Sequence, residues 1–137
     1  MEASLDACAL LPVSELSKII GGETPVGRAV PAAGWVAGQC AWSSPTAAFL
    51  MSVGTGASIK SVGDPGVSDT RSKLADFEQR VAAGGTPRPV AGIGDGAIVA
   101  DSGMAAYKGD IYLEVANLRL TEDQMIEIMS LAVDNLE

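Results

Sequence analysis

Acid–base and metal chemistry near neutral pH leans on histidine, and this chain contains none. Ser-His and Cys-His nucleophile pairs and every metal site built on imidazole are therefore excluded. Two cysteines, Cys8 and Cys40, are too few for a structural zinc site and too far apart for a Cys-x-x-Cys redox pair. They read most simply as a disulfide, with two separate buried thiols as the alternative. Seventeen carboxylates remain, and two of them facing one cleft could do glycosidase-type acid and base work. Nothing in the order of Asp95, Asp101, Asp110 and Glu114 picks out such a pair. They read as solvated strand ends and turns, so no catalytic residue is assigned and the chain is not expected to be an enzyme. Gly92 to Gly96 lacks the GxGxxG spacing and Gly54 to Gly63 the P-loop spacing, so neither is a phosphate cradle. No metal and no cofactor is expected.

Two residues stand out for binding. Asp95 lies between glycines in the turn Gly92 to Gly96, where its carboxylate would contact a ligand or calcium, or else accept backbone N–H bonds in an Asx-type turn. The second reading is favoured, because a calcium loop offers several acidic oxygens at alternating positions. Trp35, in the Gly, Pro and Ala-rich stretch from Glu23 to Gly38, is the candidate exposed anchor for a partner; its alternative is a lid over the core.

The formal charge is −8, and the nine basic residues are scattered singly. That leaves no track for a phosphate backbone and disfavours docking on anionic lipid, so nucleic acid is not an expected partner. No apolar run reaches the 18 to 20 residues or so that cross a bilayer, so no transmembrane segment is expected.

The elements that must position these residues follow from pattern. At 137 residues the chain is expected to form a single domain over residues 1–137. Apolar residues are 47% and charged residues 19%, which is the composition of a folding chain. Pro12, the apolar residues Val13, Leu16, Ile19 and Ile20, and the stop Gly21-Gly22 mark an N-terminal helix. A short edge strand is expected near Arg28 to Val30. Gln39 to Ser43 and Ala47 to Val53 form a hairpin, with Cys40 and Trp42 on one face and Phe49, Met51 and Val53 opposite. Gly54 to Val67, rich in Gly and Pro, is expected to be mostly loop. Ser68 or Asp69 caps a middle helix to about Ala83, with Leu74, Phe77 and Val81 buried. Ala97 to Ala100, Met104 to Tyr107 and Ile111 to Leu118 are strands, the last half-exposed, with Ile111, Leu113 and Val115 alternating against Tyr112 and Glu114. Thr121 and Gln124 form a capping box, and Met125, Ile128, Met129, Ala132, Val133 and Leu136 give the C-terminal helix one apolar face. The fold expected is α+β, an antiparallel sheet of four to six strands with an N-terminal, a middle and a C-terminal helix packed on it.

Several of these residues carry a family resemblance. Asp6-Ala7-Cys8-Ala9-Leu10-Leu11-Pro12, Glu15-Leu16, Gly21, Cys40-Ala41-Trp42, Gly92-Ile93-Gly94-Asp95-Gly96-Ala97 and Lys108-Gly109-Asp110, in that order over most of the chain, resemble domain-of-unknown-function family 3558 and related secreted bacterial lipoproteins. The resemblance implies an exported or lipid-anchored domain with paired cysteines, and brings no established activity. A disulfide also implies an oxidising compartment, periplasmic, cell-surface or secreted. An export signal or lipobox segment, and with it an N-terminal lipid anchor, would then belong ahead of Met1. The expected function is a non-catalytic extracytoplasmic binding or accessory domain whose contacts lie in the loops Glu23 to Gly38 and Gly54 to Val67. The alternative is a secreted inhibitor or immunity-type protein that binds an enzyme through an acidic surface.

Overall fold

The structure, a computed structural model, describes residues 7–21, 25–31 and 33–136. Its centre is an antiparallel sheet of seven strands: β1 (Val26–Ala29), β2 (Gly38–Ser43), β3 (Ala48–Thr55), β4 (Arg88–Pro89), β5 (Gly96–Ala100), β6 (Gly103–Lys108) and β7 (Ile111–Arg119). Their spatial order is β1-β2-β3-β7-β6-β5-β4. Seven strands exceed the four to six expected. The least legible of them, β4, is two residues long and sits among prolines, leaving no alternation to read.

The hairpin β2–β3 shows why the sheet forms. Cys40 faces Met51 and Trp42 faces Phe49, and all four side chains are buried. The Trp42 and Phe49 rings stack with centroids 4.7 Å apart, so cross-strand pairing and core packing favour the same register.

Helices cover both faces. On the first lie a 3-10 turn, Ala7–Leu10, and the helices α1 (Val13–Ile20) and α4 (Glu122–Asp134). Leu11, Leu16 and Ile20 share one core there with Met125, Ile128 and Met129. Helix α4 starts as its capping box requires: Thr121 Oγ1 accepts the Gln124 N–H at 3.1 Å, and Gln124 Oε1 accepts the Thr121 N–H at 3.0 Å. On the second face lie α2 (Gly56–Val62) and α3 (Thr70–Ala82), over a smaller core of Ile59, Phe77, Ile98, Ala105 and Tyr112.

Helix α2 corrects the expectation of loop from Gly54 to Val67. A Thr55–Ser58 capping box starts it and Gly63, at φ 81°, ends it. This short helix buries one side chain, Ile59, too little to show as a stripe. Tyr112 corrects the half-exposed reading of β7: it is fully buried because α3 lies over its face.

Both edges of the sheet carry prolines. The Val30 N–H bonds the Gln39 carbonyl at 3.0 Å, so even positions of β1 point at β2 and odd positions point away. Pro25 and Pro31 therefore put ring nitrogens where outward N–H donors would stand, leaving Gly27 and Ala29 between them. At the other edge the Val90 N–H bonds the Ala97 carbonyl at 3.0 Å, which turns Pro87 and Pro89 outward in the same way. Prolines at such positions blunt an edge against strand addition.

Candidate functional site

Charged side chains converge on the second face, around α3. Asp69 caps this helix by accepting the Ser72 N–H at 2.8 Å, and that bond, with the Ser72 hydroxyl, lowers its pKa. Thr70, Lys73, Phe77 and Arg80 then recur along the side turned to the sheet. Thr70 is buried and donates its hydroxyl to the Gly109 carbonyl at 2.7 Å. Lys73 is only 5% exposed. Its ammonium stands 4.7 Å from the centroid of the Trp35 ring and 3.8 Å from Asp76 Oδ2.

One turn on, Arg80 donates from Nε to Asp76 at 3.0 Å and from a terminal nitrogen to Glu114 Oε1 at 3.1 Å. Burial works against the Arg80 charge, but Glu114 and Asp76 outweigh it and the guanidinium pKa rises. The same Glu114 oxygen accepts the Tyr112 hydroxyl at 2.7 Å. Burial first, and the neighbouring carboxylate second, push the Tyr112 pKa far above its ordinary value. Tyr112 is thus a neutral donor across the physiological range. Lys73, Asp76, Arg80, Glu114 and Tyr112 are thus linked in one network, whose donors meet a single oxygen of each carboxylate, Asp76 Oδ2 and Glu114 Oε1.

Trp35 closes the top of this cluster. It is half-buried, meets the Tyr112 ring edge to face at 5.2 Å between centroids, and accepts the Ser58 hydroxyl on its carbonyl at 2.7 Å. A Cβ at Gly54 would come 2.7 Å from its ring, so the indole packs directly against β3. Trp35 packs as a lid over the second core, its ring in contact with Lys73 and Tyr112.

Asp95 Oδ2 accepts the Gly109 N–H at 2.7 Å, and the Asp95 N–H bonds the Tyr107 carbonyl at 2.8 Å. The carboxylate does accept a backbone N–H, but from the β6–β7 turn rather than within its own loop, so it joins two turns that the chain separates by 14 residues. No group of three or more acidic or sulfur ligands is positioned for a metal ion among the described residues.

Cys8 and Cys40 form a disulfide with Cα atoms 5.2 Å apart, within the usual span of such bridges. It ties the 3-10 turn to β2, with the Trp42 indole beside it. No helix among the described residues is long and apolar enough to cross a membrane.

Among the described residues, two shallow hollows can be outlined. One, of about 220 Å³, lies between the Pro65-Gly66-Val67 loop and Ser72, Asp76 and Gln79 of α3. The other, of about 300 Å³, is lined by Thr46, Arg119, Leu120, Thr121 and Gln124. Neither brings two carboxylates together.

Sequence reasoning missed the network around Glu114. A signal was present in α3, where Lys73 and Arg80 fall four before and three after the buried Phe77, and so share its side of the helix. No family model, no curated protein and no solved structure matches this chain.

Proposed function

We propose that this chain is a non-catalytic binding or accessory domain working outside the reducing cytoplasm, in the periplasm, at the cell surface or as a secreted protein. The observation that carries the non-catalytic reading is that the carboxylates of the second face serve as partners of Arg80, Lys73 and Tyr112. Glu114, the carboxylate nearest the centre of the second face, accepts from both Tyr112 and Arg80, and Asp76 is held by Arg80 and Lys73. The donors meet one oxygen of each carboxylate, Glu114 Oε1 and Asp76 Oδ2, in the geometry of a structural ion-pair network that pins α3 to β7. The disulfide supports the compartment, as does the resemblance to secreted lipoproteins.

Co-purification from the native envelope tests this reading. The expected result is a partner retained in stoichiometric amount and no turnover in hydrolase panels. Turnover that disappears in a folded Glu114→Gln variant would overturn it.

A second reading, an inhibitor or immunity-type protein, is favoured by the segregation of charge. All seventeen carboxylates lie outside the stretch from Thr24 to Gly63, which leaves the helical surroundings acidic. Capture of an enzyme with a basic active-site rim, in binding that weakens steeply with salt, would put this reading first.

A further inference from the structure

The part of the second sheet face built from β1, β2, β3 and the end of β7 is not capped by either core. Leu50 is half-buried yet packs into neither hydrophobic cluster. In register, Arg28 faces Ala41, Ala41 faces Leu50 and Leu50 faces Ala116. One row across four strands is therefore an arginine followed by three apolar side chains, two of them methyl groups. Val26, 73% exposed, and Leu118, 69% exposed, lie in the adjoining part of the same strands. A row of aliphatic side chains beside an arginine offers a partner both apolar contact and a charge.

We propose that this face docks an acidic protein segment bearing aliphatic side chains, lying across the strands through side-chain contacts. The proposal rests on the binding-domain reading and gives that reading a surface and a partner chemistry.

Charge is the main ground. In a chain of net charge −8, the sequence from Thr24 to Gly63 holds no carboxylate, while Arg28 and Lys60 fall within it. Arg28 makes no ion pair with a described residue. Arg119, opposite Ala48 at the end of the face, donates one guanidinium nitrogen to the carbonyls of Ser44 and Pro45. The carboxylates nearest this end of β7 are Glu114, held by Tyr112 and Arg80, and Asp101, whose backbone carbonyl accepts the Asn117 amide. The face is thus a neutral-to-basic island in acidic surroundings. An acidic partner gains pairing there and meets repulsion elsewhere, which selects both site and orientation. Screening over about 8 Å at physiological salt keeps the rest of the charge from cancelling the local attraction. The outward prolines of β1 oppose strand addition at the edge, so the segment lies on the face. An anionic bilayer is disfavoured, because a plane wider than the island would meet the acidic surroundings too.

The test uses the full chain in its native envelope, with a photo-crosslinking residue replacing Leu50 and, in a separate variant, Val67 of the α2–α3 loop. Cross-linked segments are identified by mass spectrometry. A short peptide alternating Leu and Glu, its Leu and Lys counterpart, and anionic vesicles serve as defined probes. The expected result is an adduct through position 50 to an acid-rich segment, and about tenfold tighter binding of the Glu peptide than of the Lys peptide, reversed in Arg28→Glu. An adduct through position 67 alone would keep the binding reading and overturn this face as its site. No adduct at either position and no peptide bound would overturn both. Preference for vesicles or for the Lys peptide would overturn the stated partner chemistry.

Discussion

Gly27 lies against the Trp42 indole: a Cβ at this position would stand 2.7 Å from Nε1 and 3.0 Å from Cys40 Sγ. The glycine opposes Trp42 in the β1–β2 register, so the edge strand can approach the disulfide only without a side chain there. Gly27→Ala is expected to destabilise the fold by about 1–3 kcal/mol, as overpacking does. Urea unfolding measures it, and an unchanged midpoint would show that β1 shifts freely away from Trp42.

Tyr112 sets an alkaline limit. Its folded pKa is raised far above that of an unfolded tyrosine, near 10. Its contribution is fully present below that unfolded value. Above it the unfolded chain releases a proton that the folded one retains, so stability falls as pH rises. Urea midpoints measured from about pH 8 to 11 should fall more steeply for the natural protein than for Tyr112→Phe. Parallel slopes would contradict the buried, neutral phenol.

Lys73 and Trp35 should act as one unit. Lys73→Ala removes a desolvated cation from an indole face and an aliphatic stem from the second core, a loss of about 1–2 kcal/mol. Trp35→Ala should cost more and also uncover Tyr112. A double-mutant cycle reads the coupling, and strictly additive losses would mean that the ring and the ammonium do not support each other.

The outward prolines guard solubility. Replacing Pro31, Pro87 and Pro89 by Thr restores donors to both sheet edges, and aggregation during mild heating, followed by light scattering, should increase while the unfolding midpoint changes little. Equal scattering by both proteins would assign these prolines another role.

What was legible in the sequence was what is local and periodic. Thr121 and Gln124 announced α4, and the alternation of Cys40 and Trp42 against Phe49 and Met51 announced the hairpin and its buried face. Helix α2 was hidden because its capping pair, Thr55 and Ser58, departs from the usual Ser/Thr-x-x-Glu/Gln pattern and its first residue rests on Asp110: a Cβ at Gly56 would strike that carboxylate, and the Gly56 N–H bonds the Asp110 carbonyl at 3.0 Å. No local pattern carries such a contact. Alternation in β7 showed which residues share a face but not that α3 covers Tyr112. The role of Asp95 likewise depends on Gly109, a partner that only the folded sheet brings near.

The disulfide bears most directly on the account, since the extracytoplasmic reading passes through it. Closing a loop between Cys8 and Cys40 should contribute roughly 2–5 kcal/mol, so Cys40→Ala should lower stability by that amount. The decisive measurement is intact mass after thiol blocking, on protein taken directly from its native compartment. The account predicts a mass about 2 Da below the all-thiol value, from two lost hydrogens, with no blocking group attached. Two blocked thiols in that protein would contradict the pairing and remove the main support for a place outside the cytoplasm.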